Sequence, residues 1–283
     1  MKGRNTKEKY LLLATSGLLL LATCLVFAFA QGQRAPGRQR RAPSAPAGPR
    51  SITVAKGGNF QKALNEAQSG DTIILEAGAS YLGPFTLPNK PGSDFITIQS
   101  SALSALPSSS QRVSPLHSPL MPKLLSPGNN EPALQTALSA HHFRFIGIEF
   151  APLNPTVYLR ELIRLGDGSA AQNSLSLVAH HLLLDRCYIH AHPTQAVVRG
   201  VALNSAETAI TNSYISDFKS KEYDSQAVWG WNGPGPFQII NNYLEASGEN
   251  VGFGGSDPAI ANLIPSDIEI RGNLLRKPVE WRG

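Results

Sequence analysis

A short arrangement of apolar and polar positions recurs along the second half of the chain. Two apolar residues two apart are followed by two spacers, a sixth position holding Ile, Cys, Ser or Asn, one more spacer and a final apolar residue. It reads Phe143-Phe145-Ile148-Phe150, Leu182-Leu184-Cys187-Ile189, Thr208-Ile210-Ser213-Ile215, Phe237-Ile239-Asn242-Leu244 and Ile268-Ile270-Asn273-Leu275. Successive copies start 39, 26, 29 and 31 residues apart. A constant unit at an uneven period implies one rigid strand–bend–strand corner per repeat, with insertions elsewhere. Period-2 apolar pairs on both sides of two spacers are two short strands meeting at a bend. No 3.6-residue stripe runs through these units, which excludes a helical solenoid. Stacked units of this kind predict an all-β chain, a right-handed parallel β-helix whose coils pair at about 4.8 Å.

Asn242 and Asn273 occupy the same place in successive copies. The expectation is a buried ladder in which one side-chain amide bonds the next. Upstream, Asn59 can cap a helix with Phe60, Ala63, Leu64 and Ala67 on one face, stopped by Gly70. A short amphipathic helix before Asp71-Thr-Ile-Ile-Leu suits a plug over the first coil, whose edge would otherwise template aggregation. The last copy runs into KPVEWRG with no capping element. The expectation is therefore that the domain continues beyond Gly283 or that a partner chain covers this edge.

Charge is distributed unevenly over the 283 residues. The formal net charge is +5, yet residues 1–50 hold nine Lys/Arg and one acid, leaving 16 basic and 19 acidic residues in 51–283. The folded part is mildly acidic, which argues against nucleic acid as a partner. Lys2, Arg4, Lys7 and Lys9 precede the uncharged run 11–30, which ends in Ala28-Phe29-Ala30. Residues 1–30 thus read as an export signal, with cleavage before Gln31, or as an uncleaved membrane anchor. Residues 31–50 are an Arg/Pro/Ala-rich linker, and 51–283 form the β-helix domain. The two cysteines, Cys24 and Cys187, fall in the leader and in an apolar repeat position, so no internal disulfide is expected and Cys187 is a buried thiol.

The stretch ITVAKGGNFQKALNEAQSGDTIILEAGASYLGPFTLPNKPGSDFITIQSS resembles the opening of bacterial right-handed parallel β-helix proteins of the pectate-lyase-like superfamily. Their order is a Gly-Gly turn, a capping helix, Gly-Asp-Thr-Ile and a Gly-x-Phe/Tyr coil. WGWNGPGPFQIINNYLEASGENVGFGG is similar to a mostly uncharacterised branch of it. The resemblance spans roughly 51–283 and implies the fold. For function it implies a polysaccharide as partner, with lyase, hydrolase and non-catalytic glycan-binding readings all open.

The strings that mark galacturonan hydrolases and the Trp-Ile-Asp-His string of lyases are absent. The richest polar region is 217–257. Trp229 and Trp231 alternate, so both rings face one side of an extended strand, a platform for pyranose C–H groups. With Asn250 they are the candidate substrate-binding residues. Asp224 and Glu249 are the candidate catalytic carboxylates. The resemblance extends loosely to Gly-Glu-Asn elements that hold calcium in alginate and chondroitin lyases, which makes Glu249 and Asp257 candidate Ca2+ ligands. His141-His142 and His180-His181 occupy matching places in two copies and are donors a transition metal accepts, although the repeat alone already explains the match.

Overall fold

The computed structural model describes residues 48–154 and 158–281. The leader, the cleavage point before Gln31 and the linker up to residue 47 lie outside the described residues, as does Gly283. Among the described residues the chain winds as a parallel β-helix, each full coil giving one strand to each of three parallel sheets. The first sheet comprises Ser51–Val54, Thr72–Leu75, Ile96–Ser100, His141–Ile146, His180–Asp185, Ala206–Thr211, Phe237–Ile240 and Ile268–Arg271. The second comprises Ser80–Leu82, Lys123–Ser126, Glu149–Pro152, Tyr188–His190, Tyr214–Phe218, Tyr243–Ala246 and Leu274–Arg276. The third comprises Phe85–Leu87, Leu134–Thr136, Leu159–Gly166, Val197–Asn204, Gln226–Gly230 and Glu249–Phe253.

The five copies of the sequence pattern stack in register. Phe143 pairs with Leu182, Leu182 with Thr208, Thr208 with Phe237 and Phe237 with Ile268. The bend between first and second sheets is the constant corner. One residue there takes positive φ in each copy, at Gly147, Arg186, Asn212, Asn241 and Gly272. Glycine and asparagine enter this left-handed region at little cost, which explains four of the five choices. The next residue points inward, as Ile148, Cys187, Ser213, Asn242 and Asn273. The expected ladder is present. The Oδ1 of Asn242 accepts from the Ser213 N–H at 2.8 Å, and the Oδ1 of Asn273 accepts from the Asn242 N–H at 2.7 Å. Cys187 is fully buried, and burial pushes its thiol up to about 12, so it is inert.

The helix Phe60–Glu66 closes the first coil. The Asn59 side chain caps it by accepting from the Lys62 N–H at 2.8 Å. The helix ends at Ala67, three residues before Gly70, which instead supplies a positive φ in the following turn. Phe60 buries its ring edge-on to Phe85, with centroids 4.8 Å apart. Gln61 seals the edge of the third sheet as a surrogate strand: its Oε1 accepts from the Thr86 N–H and its Nε2 donates to the Thr86 carbonyl. Arg50, at the end of the expected linker, is held to Asp71 at 2.6 Å.

One core fills the coils, from Leu64 under the cap to Leu244. At the other end the inward positions emerge: Ile270 and Leu275 are exposed, although their counterparts Ile239 and Leu244 are buried, and on the outer face Leu274 is exposed where Tyr243 is buried. An insertion between Ile96–Ser100 and Lys123–Ser126 folds over the second sheet, where Leu106, Val113 and Met121 pack on Tyr188 and Tyr214.

Candidate functional site

The third sheet carries the most continuous polar structure on the outside of the coil. In Leu159–Gly166, Leu162 and Ile163 are both fully buried, so the alternation slips and Glu161 and Arg164 both turn outward. Glu161, Arg199, Gln226 and Glu249 then stand in one register row across four coils. Their side chains are joined: Arg199 Nη1 donates to Glu161 at 3.2 Å, Arg199 Nε to Gln226 at 3.1 Å, and Gln226 Nε2 to Glu249 at 3.1 Å. Arg164 donates to Glu161 at 2.9 Å and to Gln135 at 3.1 Å, and Gln135 reaches Thr86 at 3.2 Å. The network thus runs over six successive coils.

Glu161 is shared by two guanidinium groups and is nearly buried. Burial lowers the Arg199 pKa from its ordinary value, against the pull of Glu161, and the nearby Arg160 pushes the same way as burial. Arg160 itself is exposed. Glu249 is exposed at the other end of the row. Tyr158 and Tyr223, both exposed, face each other across 6.1 Å.

Both tryptophans border this row, and each is half-buried, but they lean in opposite directions along the axis. Trp231 reaches back over Arg199, whose guanidinium carbon is 5.0 Å from the ring centroid, and donates its N–H to the Gly168 carbonyl at 3.2 Å. Trp229 leans forward over Gly252 and donates to the Gly254 carbonyl at 3.1 Å. A Cβ at Gly168 or Gly252 would collide with these rings, so close ring-to-backbone approach requires glycine there.

The residues singled out in sequence are only partly brought together. Trp229, Trp231 and Glu249 share the face. Asp224 is exposed two positions before Gln226, at the rim of the same face. Asn250 is corrected. Its side chain is buried and its Nδ2 donates to the Leu244 and Arg276 carbonyls, so it staples coils together and is withheld from a surface ligand. Asp257 is exposed in the loop after Glu249–Phe253. A calcium ion takes six to eight oxygen ligands. Glu249 and Asp257 belong to no group of three His, Cys, Asp or Glu donors among the described residues. Sequence reasoning missed Glu161, Arg164 and Arg199. The available signal was their intrusion into the otherwise apolar runs LRELIRLG and VVRGVALN.

A second polar cluster lies on the second sheet. Glu149 is almost fully buried, contacts Lys123, accepts from Ser118 at 2.5 Å and lies 3.2 Å from His190. Burial raises its carboxyl pKa, but hydrogen bonds from His190, Lys123 and Ser118 outweigh this and leave it below the usual value. The segment Pro115–Leu120 supplies Ser118 and covers the cluster, which pins the insertion in place.

The three parallel sheets and the inward Asn corner make this a parallel β-helix. No protein-family sequence model and no curated protein sequence matches the chain. Among solved structures it is similar to the alginate lyase from Paenibacillus sp. str. FPU-7, at 14% identity and a TM-score of 0.39, covering 78% of this chain and 99% of that one. It is also similar to pectate lyase Pel9A, at 14% identity and a TM-score of 0.37, covering 78% of this chain and 58% of that one.

Proposed function

We propose that this is an exported protein that binds an acidic polysaccharide along the outward face of the third sheet and cleaves it as a uronate lyase. The observation that carries the reading is the gathering of Arg160, Arg164 and Arg199 on one face, with Arg199 against Trp231, on a domain that is otherwise net acidic. Guanidinium groups match carboxylates in planar paired geometry, and aromatic faces accept sugar C–H groups. Coils spaced about 4.8 Å apart repeat on the scale of one sugar unit.

In β-elimination a base removes the proton alpha to the uronate carboxylate and the glycosidic oxygen at the neighbouring carbon leaves with the bonding pair, taking up a proton. Neutralising the carboxylate makes that proton acidic enough to remove. Arginines of this face supply the neutralisation, and Glu249 or Asp224 at its rim is the group offered as base. The second reading is non-catalytic glycan binding, favoured by the pairing of Glu161 and Arg199 to each other.

The test is a panel of alginate, pectate and glycosaminoglycan substrates, followed by ultraviolet absorbance of the unsaturated product and by calorimetric binding. Arg199→Ala should abolish binding and Glu249→Gln should abolish turnover. Binding without product in the parent would establish the binder, and neither binding nor product would overturn both readings. Export is checked by N-terminal sequencing, with Gln31 expected as the first residue of the mature chain.

A further inference from the structure

The first sheet opens on a separate cluster of ligating side chains. His141 and His142 begin one strand, and His180 and His181 begin the next, with His141 in register with His180. On a regular strand the members of each pair would point to opposite faces. Here His142 and His181 take φ values of 58° and 52°, and each pair converges. Nδ1 of His141 lies 2.7 Å from Nδ1 of His142, and Nδ1 of His180 lies 2.7 Å from Nδ1 of His181. The pairs stack, His141 on His180 with centroids 4.9 Å apart and His142 on His181 at 4.3 Å. One coil further, Glu207 stands in the same position, also at positive φ, and its carboxylate contacts His181 Nδ1.

A left-handed backbone is unfavourable at a non-glycine residue. At the other corner that cost is largely avoided by Gly and Asn. At this corner it is met three times in succession, by His, His and Glu, which are donor types of transition-metal sites. Ligand atoms of His142, His180 and His181 all lie within 4.8 Å of one another. Donors around a tetrahedral ion stand about 3.4 Å apart for bonds of about 2.0–2.1 Å, so small movements of half-buried rings close the site.

We propose that His142, His180, His181 and Glu207 bind a divalent late transition-metal ion of the zinc and copper class. Three nitrogen donors select against calcium and magnesium. His141, hydrogen-bonded to His142, orients that ring from behind the ligand set. The ligands come from three successive coils, so the ion ties them together. His181 and Glu207 also line an open groove of about 870 Å³ on this sheet, through which the ion exchanges.

The test uses the full chain without a polyhistidine tag, stripped with chelator and titrated with Zn2+, Ni2+ and Co2+. The expected result is one ion per chain, a raised melting temperature and a visible Co2+ spectrum of tetrahedral type. Binding should weaken at least ten-fold in His181→Ala and in Glu207→Gln, and stay unchanged in His192→Ala, an exposed histidine of another loop. Absence of binding at micromolar metal, or retention of full affinity in His181→Ala/Glu207→Gln, overturns the site. If His181→Ala does not fold, the Co2+ spectrum of the parent and the affinity of Glu207→Gln decide the matter.

Discussion

Arg199 lies against the face of Trp231, with its guanidinium carbon 5.0 Å from the ring centroid, while its Nη1 and Nε reach Glu161 and Gln226. Two N–H groups and one face of the guanidinium are thus fixed by the protein. A planar cation so held is preorganised for a ligand carboxylate, because little side-chain entropy remains to be lost on binding.

Replacing Arg199 by Lys keeps the charge and removes the planar fork. The expected outcome in calorimetry is at least ten-fold weaker binding of the uronate polymer found by the panel. Trp231→Ala should weaken binding by about 0.5–2 kcal/mol through loss of the cation–π contact. Equal affinity in parent and Arg199→Lys would remove Arg199 from the site.

Asn242 satisfies the preceding coil from inside the core, accepting from the Ser213 N–H and donating to the Ile210 carbonyl, both at 2.8 Å. Asn242→Leu leaves both groups unpaired and should cost about 1–3 kcal/mol. Chemical denaturation should register this as a lower midpoint. Asn273→Leu should cost less, because Asn273 is only half-buried and has no coil beyond it among the described residues.

The Glu149 carboxyl titrates below the ordinary glutamate value near 4.5 in the folded chain. The unfolded chain therefore binds the proton first as pH falls. The stabilisation is complete above the ordinary value and is lost as pH drops through the folded one. Melting temperature should decline below about pH 4.5, and Glu149→Gln should flatten that part of the curve while lowering stability at neutral pH. An identical acid limb in the variant would show that Glu149 is not its source.

Among the described residues, Ile270, Leu274 and Leu275 present apolar side chains on strands paired on one side only. Such edges associate. Sedimentation of the chain should show concentration-dependent self-association, reduced by Leu275→Glu. A monomer at all concentrations would contradict this.

The corner repeat was legible because its inward positions are apolar in nearly every copy and its bend has constant length. The coil that starts at Ile96 carries no such copy, since the insertion at 101–122 separates Ser100 from Lys123 and breaks the local spacing. The polar row was hidden for a related reason. Glu161, Arg199, Gln226 and Glu249 are 38, 27 and 23 residues apart and differ in chemistry, so neither period nor type links them before the coils are stacked. Asn250 misled although alternation from an outward Glu249 already puts it on the inner face, where its amide meets backbone carbonyls.

The constant corner also governs the order in which the chain acquires structure. Register partners in successive coils are separated by 39, 26, 29 and 31 residues. Closing a loop costs about (3/2)RT ln n, so the longest and shortest of these turns differ by only about 0.4 kcal/mol. Each winding therefore meets nearly the same entropic barrier, whatever the length of its loops. What distinguishes them is the template: a coil gains its ladder only against a neighbour already formed. The end sealed by Phe60 and Gln61 is the one where the first coil has both its core and its edge satisfied. The expected order of winding is therefore from that end toward Ile268, in the direction in which the chain is synthesised.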